Sequence, residues 1–148
     1  MKTLFAFLLA FMFLISGAVN VLKQMRITLA LEEIVAFINL VKTEVRYTMA
    51  DFENIILRGR TQNYKYIIFS DNGISLDKSV RGHLGNDFAN FINKIGTTDE
   101  EGQINICEEF KGRFEEKLMK RKMKEKEKLQ VNTALSVFGA LSVLIFFL

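Results

Sequence analysis

The run TLFAFLLAFMFLISGAVNVL, residues 3–22, holds no charged side chain and twelve Leu, Ile, Phe or Val residues. A second uncharged run, LQVNTALSVFGALSVLIFFL, occupies residues 129–148 and also holds twelve. Twenty helical residues rise about 30 Å, the thickness of a bilayer's hydrocarbon. Twelve such side chains favour insertion by roughly 4 to 7 kcal/mol, less near the ends. Asn20, Gln130, Asn132 and Thr133 lie at the inner edges, within reach of head groups. The two runs predict transmembrane helices at 3–22 and 129–148 around a central domain at 23–128.

The first run has a second reading. Met1-Lys2, an apolar stretch and then Ser16-Gly17-Ala18 also make the pattern of a signal peptide with a small-residue cleavage site. Cleavage would leave a secreted helical domain with a C-terminal membrane anchor. Charge argues the other way. Lys23 and Arg26 follow the first run, and Lys117, Lys120, Arg121, Lys122, Lys124, Lys126 and Lys128 precede the second. Lys and Arg beside a membrane stay on the cytoplasmic side, so the expected topology keeps the central domain in the cytoplasm.

The chain has 148 residues and a net charge of +3, unevenly spread. Segments 23–30 and 117–128 together carry +7, whereas 31–116 carries −5. The basic flanks suit an anionic membrane lipid surface, at about 1 kcal/mol per cation. An acidic body repels nucleic acid, and no nucleic-acid partner is expected. The −5 body also motivates an acidic docking face for a partner, including Glu108, Glu109, Glu115 and Glu116.

Proline is absent, which removes the strongest helix breaker, and the apolar spacing predicts an all-α helical bundle. Ile27, Leu31, Ile34, Val35, Ile38, Val41, Val45 and Met49 step by three and four, the stripe of an amphipathic helix. Gly59 marks its expected end. Tyr64-Lys65-Tyr66-Ile67-Ile68-Phe69 has strand composition, but a lone strand leaves its backbone unpaired, so a short buried helix is expected there, followed by a turn at Asp71-Asn72-Gly73. A helix from Leu76 buries Val80, Leu84, Phe88, Phe91, Ile92 and Ile95 and closes at Gly96. Thr98 and Glu101 have capping-box spacing, starting a last helix at Asp99 that buries Ile104, Cys107, Phe110, Phe114 and Leu118 and runs on toward the second span. Ser136 and Ala140, beside Gly139, are small enough for close helix packing.

Catalytic patterns are missing. His83 is the only histidine and Cys107 the only cysteine, so a histidine metal site and a disulfide are both excluded. His83 reads as a surface or structural residue, and Cys107 as a small core hydrophobe. Glu32-Glu33, Glu108-Glu109 and Glu115-Glu116 are adjacent pairs that point to different sides of a helix and read as surface charge. The expectation is a non-enzymatic protein with no cofactor, no metal and no small-molecule substrate.

Two stretches carry a resemblance. Residues 91–103, with Ile95-Gly96-Thr97-Thr98-Asp99 followed by Gln103, and Glu44-Val45-Arg46-Tyr47 resemble signatures of the stage III sporulation protein AB family of endospore-forming bacteria. The likeness runs nearly end to end. The chain departs from the family in lacking a proline shortly after Tyr47, in a shortened 58–76 region, and in having Gly139 alone where a glycine pair is common. The resemblance implies a multi-pass protein of the mother-cell membrane around the forespore, part of a channel complex between the two cells. It further implies a central domain similar to a type II secretion platform protein, with a secretion-type ATPase and other membrane subunits of the complex as partners. Glu44, Tyr47, Gly96, Asp99 and Gln103 are the motif positions it singles out.

Overall fold

The structure, a computed structural model, describes residues 2–48, 52–70 and 73–147. It is mostly helical, with α1 at Lys2–Thr48, α2 at Phe52–Thr61, α3 at Lys78–Lys94 and α4 at Glu100–Phe147. Two short strands, β1 at Ile67–Ser70 and β2 at Gly73–Leu76, lie between α2 and α3. The chain divides into two compact units, Ile27–Met119 and Met1–Arg26 with Lys120–Leu148.

In the Ile27–Met119 unit, the expected α1 stripe is buried at Ile27, Leu31, Ile34, Ile38, Val41 and Val45; Val35 is half-buried, and Met49 lies outside the described residues. The first helix was expected to run to Gly59. Instead α1 ends at Thr48, and Gly59 sits inside α2. A Cβ at Gly59 would come within 2.4 Å of the Phe69 ring, so the glycine serves close packing rather than helix termination.

The helix expected at 64–69 is a correction. Ile67 to Ser70 form a strand paired antiparallel with Gly73 to Leu76, in the register Ile67↔Leu76, Ile68↔Ser75, Phe69↔Ile74 and Ser70↔Gly73. The partner that a lone strand would lack begins at Gly73; Asp71 and Asn72, where a turn was expected, lie outside the described residues. Gly73 has φ +123°, a backbone conformation open to glycine. The Asp77 N–H donates to Tyr66 O at 2.9 Å, prolonging the pairing, while the Asp77 side chain accepts from Ser79 N at 2.8 Å and caps α3. The Ser79 hydroxyl, which also donates to that carboxylate, and the Ser79 amide hold the Asp77 carboxyl below its usual range. The helix expected from Leu76 therefore starts two residues later, because Leu76 belongs to β2.

Phe37 is the hub of this unit. It is fully buried, and its ring meets Tyr64 at 6.1 Å, Phe69 at 5.8 Å, Phe88 at 6.1 Å and Phe91 at 6.4 Å. Three of these contacts are edge-on, the arrangement ring quadrupoles favour. Phe91 passes the cluster on to Phe110 of α4 at 5.5 Å. On α4 the expected stripe is buried at Cys107, Phe110 and Phe114 and half-buried at Ile104 and Leu118.

Among the described residues no helix is long and apolar enough to cross a membrane. The expected spans at 3–22 and 129–148 fall within α1 and α4 except for Leu148, which lies outside the described residues, as do many of their side chains. The compact unit Ile27–Met119 lies inside the 23–128 segment.

Candidate functional site

Each residue of the two family-like motifs has a defined place. Glu44 is buried near the end of α1, and its carboxylate accepts from Arg58 Nη1 of α2 at 2.6 Å. The pair ties α1 to α2. Tyr47, one turn further on, is 77% exposed. The Glu-x-x-Tyr pattern thus joins an inward tie to an outward ring.

The second motif builds the junction of α3 and α4. α3 ends with Ile95 as its extended C-cap, and Gly96 follows at φ +82°, the left-handed position that favours glycine after a helix. Thr97 Oγ1 donates to Lys94 O at 2.7 Å, satisfying a carbonyl of the last turn. The capping box expected from Thr98 and Glu101 is corrected by one residue. Asp99 is the cap: its Oδ1 accepts from Gly102 N at 3.1 Å, and its own carbonyl accepts the first helical bond from Gln103 N at 2.9 Å. Gln103 Nε2 reaches back to Thr98 O at 3.0 Å. A Cβ on Gly102 would lie 2.6 Å from Thr98 Oγ1 and 2.8 Å from Asp99 Oδ1, so the cap requires glycine there.

The basic run divides. Lys117 pairs with Asp87 of α3 and lies over the Phe114 ring at 5.9 Å, so it serves the Ile27–Met119 unit rather than a membrane collar. Lys120, Lys122, Lys124, Lys126 and Lys128 are exposed and Arg121 is half-buried, all in the other unit. The Arg121 Nε is shielded from solvent without a hydrogen bond, 4.0 Å from Glu125. Beyond this cationic stretch, large apolar side chains stand in the open. Phe138 is 70% and Ile145 78% exposed on α4, and Phe11 and Met12 are exposed on α1.

Two glutamates read as surface charge do more. Glu33 accepts from Lys65 N at 3.0 Å and Tyr66 N at 2.7 Å, pinning the approach to β1 against α1. Burial, with the Glu33 charge second, raises the Tyr64 hydroxyl above its ordinary pKa. Glu108 pairs with Lys42 of α1, and the Lys42 ammonium holds its carboxyl below the usual range. Glu109 pairs with Arg113 at 2.5 Å and Glu115 with Lys111 at 3.8 Å. These acids, expected as a docking face, are engaged within the chain. Neither Glu33 nor Lys42 carries a sequence signal, because their partners lie 32 to 66 positions away.

His83 is exposed on α3, and Cys107 is fully buried, its thiol pushed up to about 11 by desolvation. Among the described residues no three His, Cys, Asp or Glu side chains gather into a possible metal site. Compared with known proteins, the chain matches no family model, no curated protein and no solved structure.

Proposed function

We propose that the protein is a membrane-anchored platform subunit, its two uncharged runs lying in the bilayer and its Ile27–Met119 unit in the cytoplasm. The carrying observation is the apolar surface left open on α1 and α4. Phe11, Met12, Phe138 and Ile145 are all more than 60% exposed, and large apolar side chains left open in such number suit a membrane or a partner. Lipid covers such side chains at no cost, and the exposed cations at 120–128 then sit at the head groups. Lys23 and Arg26, which follow the first run with no acid before Glu32, favour an uncut N-terminal span over a cleaved signal.

The body suits assembly work. Its ties (Glu44 to Arg58, Glu33 to the 65–66 backbone, the Asp99 cap) fix the geometry of the body. We assign it, on its motif residues, to the stage III sporulation protein AB family, in the channel complex of the mother-cell membrane. A secretion-type ATPase and other membrane subunits of that complex are its partners. Tyr47, exposed near the end of α1, is a candidate docking residue.

Two experiments test the two halves. Carbonate extraction should leave the full chain in the membrane pellet, and release into the supernatant would refute the anchored reading. A deletion strain should fail to complete spores, and an undiminished spore yield would refute the sporulation assignment.

A further inference from the structure

Along the distal half of α4 every described side chain is exposed except at Arg121, Glu125 and Gly139. At about 100° per residue, Arg121, Glu125 and Gly139 share one side, and all three are half-buried. Met123, Lys126, Gln130, Thr133 and Val137 share the opposite side, and every one is exposed. These five recur at alternating steps of three and four, the spacing of a coiled-coil seam. An open hollow of about 560 Å³ lies on this side, lined by Gln130, Thr133, Ala134, Val137 and Phe138.

We infer that this seam docks a second copy of the chain, α4 against α4 in parallel. The inference rests on the membrane-anchored reading, since copies inserted with one topology can pair only in parallel. Self-complementarity selects the occupant. A two-fold axis sets Gln130 against the same residue of the second copy. A carboxamide carries both donor and acceptor, so two identical ones satisfy each other, an arrangement that glues helices in lipid. Lys122 and Glu127 flank the seam, five residues apart, the offset at which flanking residues of parallel helices face across the pair. Each copy therefore places Lys122 against the other's Glu127. Lys126 meets its own twin, and its four-carbon stem lets the ammonium swing out to the head groups. An acyl chain filling the same hollow would need neither the amide nor the charge register.

The test is oxidative cross-linking of the full chain in membranes, with one cysteine added at a time: Gln130→Cys and Val137→Cys on the seam, Leu135→Cys on the other side. Buried Cys107 stays silent. A species of twice the chain's mass is expected at 130 and 137 and not at 135. Lys122→Glu should lower the yield at 137, and adding Glu127→Lys should restore it. No cross-link at the seam, equal yields at all three positions, or no rescue by the charge swap overturns the inference. The same membranes are extracted with carbonate: a retained but uncross-linked chain overturns the pairing alone, and a released chain overturns the pairing and the anchored reading together.

Discussion

Replacing Phe37 by alanine removes the ring that joins α1 to both the hairpin and α3. Phe37 is fully buried, with four aromatic neighbours inside 6.5 Å. Truncating a buried phenylalanine costs about 3 to 5 kcal/mol through lost transfer energy and the cavity left behind. Three edge-on contacts, each worth about 0.5 to 1.5 kcal/mol beyond area, place Phe37→Ala toward the top of that range. For a domain of this size each kcal/mol lowers the melting temperature by about 4 to 8 °C, so the fall should be at least about 12 °C. The assay is thermal unfolding of the full chain in mild detergent. It is followed by the near-ultraviolet signal of Tyr64 and Tyr66 and by amide exchange at β1 and β2. Tyr47→Ala, at an exposed site, is the control and should stay within about 0.5 kcal/mol of the parent. A Phe37→Ala shift below about 4 °C, or hairpin amides exchanging at the parent rate, would refute the placement of Phe37 at the centre of the core.

Gly102→Ala should destabilise, reversing the gain of about 1 kcal/mol that alanine normally brings to a helix, because its Cβ would strike Thr98 and Asp99; a raised melting temperature would contradict the cap geometry. Arg58→Ala should cost about 1.5 to 3 kcal/mol, as expected for a hydrogen bond to a charged group, and more than Glu44→Gln, which leaves no buried charge without its guanidinium. Paired denaturation curves read that order directly. Cys107, raised from 9.0 to about 11, should react with maleimide at pH 8 roughly a hundredfold more slowly than an unfolded thiol. Its folded pKa exceeds the unfolded one, so its contribution to stability is complete below pH 9 and is lost as pH rises toward 11. Labelling at the unfolded rate would disprove its burial.

The helices were legible where one face alone meets the core. The stripes from Ile27 to Val45, Val80 to Phe91 and Cys107 to Phe114 show period 3.6 because each helix buries one side. Phe37 escaped that reading since it borders the stripe one residue before Ile38, on an apolar face wider than a single line of side chains. The hairpin was hidden for another reason. Its first strand was judged without the second, although the turn signal at Asp71-Asn72-Gly73 lay between them. Glu33 and Lys42 act through partners brought near only by folding, and no local pattern marks them. The basic run looked uniform in sequence, yet Lys117 is drawn to Asp87 by the packing of α3 on α4, and the cations of the other unit begin at Lys120. Gly96 was legible because helix ends are local, and the start of α4 was legible to within one residue, with Asp99 rather than Thr98 as the cap and its bonding partners within four residues.

The central claim, a cytoplasmic body held between two membrane-embedded ends, is tested most directly by thiol labelling at one exposed site of that body. His83→Cys provides it on α3, with the buried native thiol as a silent background. In spheroplasts a membrane-impermeant maleimide should label His83→Cys only after the membrane is permeabilised. Equal labelling before and after permeabilisation would put the body on the outer side and contradict the account.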